Sequence, residues 1–192
     1  MVVLAHLPQD TERTIIPYLN KRNEKAFRDR DFGFVVVKKN NKFREKLFKK
    51  TDFPKIKTIP KYLNKSWGKG KFVMPSPLEV YTLMKKVPKG KLTTINEIRK
   101  KLAKKYKTTT ACPIVTGIFS WIAAGAAKED IQDGKKYITS YWRTLKSDGK
   151  INLKYPGGIP YQKKKLINEN HKIIKRGKNH FVENFENKLV KL

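Results

Sequence analysis

The chain has 192 residues and a formal net charge of +29, from 45 Lys or Arg residues against 16 Asp or Glu. Its hydrophobic content of 39%, with ten Phe, eight Tyr and three Trp, is enough for a packed core and argues against a wholly disordered chain. One cysteine excludes an internal disulfide framework and a cysteine-rich zinc site.

So large a positive charge favours a polyanionic partner, because lysines that neutralise phosphates release condensed counterions. An acidic protein or an anionic membrane is the main rival. Lys is far commoner than Arg, as an AT-rich genome would produce, but the same bias would also raise Glu, which is scarce. We therefore interpret the charge as functional.

The first 37 residues contain no recognisable chemistry. A helix could open at residues 10–12, and the β-branched and aromatic residues 32–37 predict a strand. Residues 38–71 form a basic segment with 13 Lys or Arg and two acids. A helix is expected at about 42–50, with Phe43, Leu47 and Phe48 on one face.

The rest of the basic segment is expected to be extended and loop-like, because Pro and Gly recur in it. Basic residues interleaved with aromatics suit phosphate contact combined with base stacking. Trp67 either takes part in such stacking or packs onto the neighbouring domain.

Two helix starts follow. Ser76 with Glu79 forms a capping box, and Pro77 fits the first helical position. Thr94 with Glu97 opens the next helix, predicted over 95–106, whose outer face carries Arg99 and several lysines suited to phosphate contact.

Residues 108–127 (TTTACPIVTGIFSWIAAGAA) are apolar, rich in small residues and almost uncharged. They predict a closely packed helix with Pro113 in its first turn. Its small side chains would allow another backbone, or the floor of a nucleic-acid groove, to approach closely. The alternative is a core helix and no more.

The remaining elements are shorter. Residues 128–136 hold the acidic cluster Glu129, Asp130 and Asp133 and predict a surface loop. Residues 137–145 alternate like a strand, and Asp148-Gly149 is a hairpin-turn signal, which together predict a two-stranded wing. A glycine loop at 155–158, a helix from Pro160 to about Asn170 and a terminal β-hairpin over 171–185 complete the chain.

The predicted fold class is α/β, with a winged-helix core built on a helix-turn-helix. The expected domains are a basic helical and extended N-terminal arm at 1–73, the winged-helix domain at 74–176 and a strand at 177–192 that completes the hairpin.

This order of elements resembles the DNA-binding domain of the alkylguanine-DNA alkyltransferases and of their non-catalytic relatives, the alkyltransferase-like proteins. The most specific matches are residues 87–94 (VPKGKLTT) and 155–158 (YPGG). The resemblance spans residues 74–176 and implies that the 108–127 helix enters the minor groove of duplex DNA.

The reactive cysteine of that family lies in a Pro-Cys-His-Arg motif, which falls here on residues 140–143, so that Tyr141 replaces the nucleophile. The arginine that takes the place of a flipped base falls on Pro113, and the tyrosine that helps to turn the nucleotide falls on Ile95. The glutamate of the proton relay falls on Glu169, which is expected to be a surface carboxylate.

The resemblance and the charge together predict a non-catalytic DNA-binding protein of the damage-recognition kind. The expected nucleic-acid contacts are Thr94, Arg99, Lys100, Thr110, Thr116, Gly117, Ser120, Arg143, Lys146 and Lys150. The base-pocket candidates are Tyr141, Trp142, Tyr155, Gly157 and Gly158, whose aromatic rings would either stack on an extruded base or fill the pocket.

Two other functions remain open: an RNA or ribonucleoprotein adaptor, and an alkyltransferase that uses Cys112. No catalytic residue, metal site or cofactor is predicted. We expect a monomer that binds duplex DNA, with RNA as the alternative, and does not bind membranes. The single cysteine favours a reducing compartment, either the cytoplasm with its nucleoid or the nucleus.

Overall fold

The structure is a computed structural model that describes residues 17–19, 25–29, 33–37 and 42–192. The chain divides into two units, Met1–Asn40 and Asn41–Leu192. The helix predicted to open at residues 10–12 lies outside the described residues.

The described part of the first unit is an antiparallel sheet of three strands, β1 (Pro17–Leu19), β2 (Lys25–Asp29) and β3 (Gly33–Val37). The central strand β2 pairs Phe27 with Pro17 on one side and with Val35 on the other. The strand predicted at 32–37 is confirmed as β3.

The second unit mixes helices with short strands. Its helices are α1 (Lys42–Phe48), α2 (Asn64–Trp67), α3 (Pro77–Lys85), α4 (Ile95–Lys105), α5 (Pro113–Gln132) and α6 (Gly158–Ile167). Its strands are β4 (Lys55–Thr58), β5 (Lys71–Met74), β6 (Thr93–Thr94), β7 (Thr110–Ala111), β8 (Thr144–Leu145), β9 (Ile173–Arg176) and β10 (Asn179–Val182). Single turns of 3₁₀ helix lie at Lys61–Leu63, Tyr141–Arg143 and Phe185–Lys188.

Helix α5 is the centre of this unit, and α1, α3 and α4 pack against it. Strand β5 lies between an antiparallel β4 and a parallel β7, while β6 pairs with β8 and β9 pairs with β10. Leu47 of α1 and Val73 of β5 belong to the same core as α5. Residues 42–73, predicted as part of an arm, therefore fold with the residues that follow them.

The predicted helix starts agree with the structure. The Ser76 hydroxyl accepts a hydrogen bond from the Glu79 backbone N–H at 3.3 Å, and the Glu79 carboxylate accepts one from the Ser76 N–H at 2.9 Å. Thr94 caps α4 by accepting from the Glu97 N–H at 3.2 Å. These starts were predictable because each cap involves residues only three positions apart.

The predicted helix at 42–50 is confirmed as α1, although one of its three apolar residues is misplaced. Phe43 and Leu47 pack into the core, whereas the Phe48 side chain is 63% exposed. The predicted apolar face was too wide, because only the side of α1 that carries Phe43 and Leu47 packs against the core.

The acidic loop predicted at 128–136 is wrong in its first half, because α5 continues to Gln132. The Glu129 carboxylate accepts from the backbone N–H groups of Phe43 and Arg44 at 2.8 and 2.9 Å. The Arg44 guanidinium also lies 3.3 Å from Asp130 and 2.6 Å from Asp133. These carboxylates hold the start of α1 against α5, a pairing between distant residues that no local pattern reveals.

The predicted strand at 137–145 is also wrong. Tyr141–Arg143 forms a 3₁₀ turn, and only Thr144–Leu145 is a strand, paired in parallel with β6. The Asp148-Gly149 turn does form, since Lys146 N–H donates to the Lys150 carbonyl at 2.9 Å and Gly149 has φ of 77°. Residues 151–153 do not extend it into a strand, and a two-stranded wing is not confirmed.

The C-terminal part follows the prediction closely. The terminal hairpin forms from β9 and β10, with Ile174 opposite Phe181. Helix α6 begins two residues before Pro160, after Gly157 at φ of 76°. Within the described residues no helix is both long and apolar enough to cross a bilayer.

Candidate nucleic-acid interface

A groove runs along the outer face of the N-terminal half of α5. Ile114, Gly117, Ile118 and Trp121 follow one another at the helical spacing i, i+3, i+4, i+7 and form a stripe that points away from the core. Ile114 is 67% exposed, Ile118 48% and Trp121 38%. Three large apolar side chains so exposed on one helix face form a stripe of the kind that often marks an interaction site.

The groove encloses about 560 Å³ between α5 and two neighbouring segments. Ile95 at the start of α4 and Pro113 at the start of α5 lie at one end. Lys146, Asn152 and Lys154, on the segment that follows β8, form the opposite wall.

The groove lining contains lysines and no carboxylate. Asp148, the acid in the neighbouring turn, points its carboxylate towards Lys150 at 3.9 Å. Trp121 is fixed at the far end by an edge-on contact with Phe43, with ring centroids 5.0 Å apart. The result is an apolar floor beside a positively charged wall.

Several predicted contact residues are buried, although one of them, Ser120, lines the groove. Thr94 is 2% exposed as the cap of α4, and Thr116 and Ser120 are fully buried. The Thr116 and Ser120 hydroxyls donate to the carbonyls of Cys112 and Gly117 at 2.7 and 2.8 Å. The small residues of α5 mostly face inwards because α3 and α4 pack closely against them, and only Gly117 lies on the exposed stripe.

Arg99 is engaged by its own protein. Its guanidinium donates to the Ala111 carbonyl at 2.8 Å and to Asn96 and Thr110 side chains at 2.9 Å. Burial lowers the pKa of Arg99. Arg99 thus ties α4 to β7 through Ala111 and Thr110, and the role of Arg99 and Thr110 in phosphate contact stays a prediction.

Arg143 and Glu169 form a buried ion pair, which corrects the expectation of a surface carboxylate. The side chains are 13% and 7% exposed, with Nε and Oε2 2.8 Å apart. Glu169 also accepts from the Trp142 indole N–H at 2.8 Å and from the Gly90 N–H at 3.1 Å. Burial raises the pKa of Glu169, but the bonds from Arg143, Trp142 and Gly90 outweigh it and hold the pKa below its usual value.

The base-pocket candidates form a closed aromatic cluster. Tyr141, Trp142 and Tyr155 are 1%, 6% and 2% exposed. The Tyr141 ring stacks on Tyr161 at 6.0 Å and its hydroxyl donates to the Pro156 carbonyl at 2.9 Å. Burial raises the pKa of Tyr141 and raises that of Tyr155 to about 12. The rings fill this space, and Gly157 and Gly158 shape the loop beside them.

Cys112 is 6% exposed and packs with Ile59 and Phe72. It precedes α5 without lining the groove, so its thiol is not presented to a ligand there. Within the described part of the chain, no three His, Cys, Asp or Glu side chains gather as a metal site.

The lysines predicted as contacts remain accessible. The Lys100 side chain is 74% exposed and forms an ion pair with Glu97. The Lys150 side chain is 25% exposed, and Lys146 lines the groove. Five residues of the groove lining were not predicted from the sequence: Ile114, Ile118, Trp121, Asn152 and Lys154. The available signal was the helical spacing of Ile114, Ile118 and Trp121 on a different face from most of the small residues of α5.

No protein-family model and no curated protein matches the chain. Two solved structures show a loose likeness at 20% identity over 60% of this chain and 94% of theirs. They are S. pombe Atl1 in complex with damaged DNA containing O6-carboxymethylguanine, with a TM-score of 0.39, and S. pombe ATL in complex with DNA, with a TM-score of 0.41. Scores this low do not establish a shared fold, so what the groove binds must follow from its own residues.

Proposed function

We propose that the protein binds duplex DNA without catalysis and that the α5 groove is the contact surface. The observation that carries the proposal is the exposed apolar stripe of α5 beside a wall of lysines, in a chain of net charge +29. The stripe would lie against the duplex while Lys146, Lys150 and Lys154 neutralise phosphates.

The chemistry of the stripe favours the minor groove. Ile114, Gly117 and Ile118 have no side-chain donors or acceptors, so in the major groove they could contact thymine methyl groups but could not read the hydrogen-bonding pattern of the base edges. Proteins that bind the minor groove frequently insert apolar side chains between base steps. Binding is therefore expected to depend on groove shape and charge more than on sequence.

The exposed face of α4 extends the charged surface. Lys100, Lys101 and Lys104 lie on the solvent side of the helix whose first residue, Ile95, lines the groove. Contacts from this face would fix the orientation of the duplex without adding sequence information.

Recognition of a damaged base does not form part of this proposal. An extruded base needs a pocket with room for it, and the buried rings of Tyr141, Trp142 and Tyr155 pack against one another. Alkyl transfer by Cys112 has no support either, because the thiol is buried away from the groove.

A single substitution that introduces a negative charge tests the proposal. Ile118→Glu puts a carboxylate in the middle of the stripe at a side chain that is already 48% exposed. We expect duplex affinity to fall at least about tenfold, since a carboxylate facing phosphates is repelled and the apolar contact is lost. Fluorescence anisotropy with a short labelled duplex measures the effect.

Ile131→Glu is the matched control, because Ile131 is 37% exposed near the other end of the same helix. It adds the same charge outside the groove and should change affinity by less than about twofold. Equal losses in the two variants would show that only net charge matters and would remove the groove from the proposal.

A further inference from the structure

Residues 55–71 form a second basic surface that the groove does not include. Residues 53–78 contain six lysines and no acidic residue. All six are exposed: Lys55, Lys57, Lys61, Lys65, Lys69 and Lys71. Lys55 is paired with Asp52 at 3.1 Å, and the other five have no carboxylate within ion-pair distance among residues 42–192.

One aromatic ring stands among these lysines without packing. Tyr62 is 82% exposed, although it lies in the 3₁₀ turn Lys61–Leu63 between residues that are held in place. Its neighbour Leu63 packs with Ile59 and Phe72. An exposed ring on an anchored turn loses little entropy when a planar group stacks on it.

The 3₁₀ turn belongs to a packed segment, residues 55–71, which we call the platform. Ile59 N–H donates to the Gly70 carbonyl at 2.8 Å, and the Trp67 ring packs edge-on against Phe72 at 5.3 Å. The Thr109 hydroxyl donates to the Lys69 carbonyl at 2.8 Å. Trp67 therefore packs against the platform and is partly buried, whereas the Tyr62 ring faces solvent.

The platform lies beside the groove. Val115 of α5 packs against the Ile59, Phe72 and Cys112 cluster of the platform. Its neighbours on the helix, Ile114 and Ile118, are one residue and three residues away and belong to the groove. A nucleic-acid strand that leaves the groove at this side would meet the lysines and then Tyr62.

We propose that this platform binds unpaired nucleotides that adjoin the duplex, with phosphates on its lysines and one base stacked on the Tyr62 ring. The proposal rests on duplex binding in the α5 groove. Within a duplex the faces of the bases are covered by their neighbours, so a lone exposed ring can stack only on an unpaired base or on the terminal pair at a duplex end. The platform therefore favours a junction between paired and unpaired strands over a blunt duplex.

The test compares three DNA probes: a blunt duplex, the same duplex with a single-stranded extension, and a longer blunt duplex with as many phosphates as the extended probe. The third probe removes the gain that comes from additional charge alone. We expect the wild-type protein to prefer the extended probe over the longer duplex by about tenfold, the size of one stacking contact.

Substitutions at Tyr62 test whether its ring causes the preference for the extended probe. Tyr62→Ala should abolish it while leaving the affinity for the blunt duplex unchanged, and Tyr62→Phe should retain it, because the ring and not the hydroxyl stacks. Tyr137→Ala is the control, since Tyr137 is 85% exposed next to Lys135 and Lys136 but follows the C-terminal end of α5. It should behave like the wild type.

A wild-type protein without preference for the extension, or a Tyr62→Ala variant that retains it, overturns the inference. Failure of the groove proposal gives a different result. Ile118→Glu would then leave the affinity for the blunt duplex unchanged, independently of the result with the extended probe.

Discussion

At the scale of single residues, two glycines of α5 differ in what surrounds them. A Cβ on Gly125 would overlap the Phe43 ring of α1, whereas a Cβ on Gly117 would meet nothing within 4 Å. Both residues lie in a helix interior, where alanine is favoured over glycine by about 0.5–1 kcal/mol.

We therefore expect Gly125→Ala to destabilise the protein by about 1–3 kcal/mol through overpacking. Gly117→Ala should stabilise it by about 0.5–1 kcal/mol, because only the helix propensity changes. Urea denaturation of both variants measures this difference, and a destabilised Gly117→Ala would show that the stripe position is already packed.

Glu169 gives a second residue-scale prediction. Glu169→Gln leaves the Arg143 guanidinium, 13% exposed, without its charged partner. Loss of one partner in a buried pair costs about 3 kcal/mol in unfolding free energy. Glu183→Gln is the control, since its pair with Lys172 has side chains 34% and 74% exposed, and exposed pairs contribute about 1 kcal/mol or less.

The pH dependence of this contribution has a definite sign. The pKa of Glu169 is lowered in the fold, so the unfolded chain binds its proton more tightly than the folded protein does. The stability from Glu169 is fully present above the ordinary glutamate pKa and is lost as pH falls through the lowered one. Wild-type stability should therefore fall more steeply than that of Glu169→Gln in acid below about pH 4.5, as measured by denaturation across that range.

The sequence showed neither the difference between Gly117 and Gly125 nor the burial of Glu169. Gly117 and Gly125 look alike as small residues of one apolar run, and Glu169 lies in a polar helix end. Their surroundings come from Phe43 and Arg143, which are distant in the chain, so only the folded structure separates them.

At the scale of elements, one carboxylate at the junction of α1 and α5 caps the start of α1. Glu129 accepts from the backbone N–H groups of Phe43 and Arg44, which have no helical carbonyl to donate to at the start of α1. Glu129→Ala should cost about 1–2 kcal/mol, the value of a helix cap. Glu186→Ala, at an exposed residue in the last 3₁₀ turn, should have little effect in the same denaturation experiment.

Elements with local signals were predictable. The Ser76 and Thr94 caps, the Pro113 helix start and the terminal hairpin are encoded within a few residues, and each occurs as expected. The predicted wing was different: residues 144–145 pair with Thr93–Thr94 far back in the chain, and such a partner competes with the local turn without leaving a local signal. The groove was predicted as a helix surface, but only Gly117, Ser120 and Lys146 of its lining were among the predicted contacts, because the side of α5 left uncovered depends on how its neighbours pack.

At the scale of the whole molecule, carboxylates are concentrated in internal contacts. Glu129, Asp130 and Asp133 surround Arg44, and Glu169 is bound to Arg143. Glu79 accepts from Ser76, Lys105 and Tyr106; burial raises its pKa, but these bonds lower it below the usual value. The lysines outside such contacts retain an uncompensated surface charge, so a well-packed unit can also carry the charge that the proposed DNA binding requires.

The measurement that tests duplex binding in the groove most directly is the salt dependence of affinity. Lys146→Ala with Lys154→Ala removes the two lysines of the groove wall. Lys163→Ala with Lys164→Ala removes two exposed lysines of α6 as a charge-matched control. The slope of log affinity against log salt concentration for a plain duplex is compared among wild type and the two variants.

If the duplex lies in the groove, the groove variant should lose about one unit of slope per lysine, and the α6 variant should keep the wild-type slope. Equal slopes for the groove variant and the wild type, with a reduced slope for the α6 variant, would place the phosphates elsewhere and contradict the assignment of the groove.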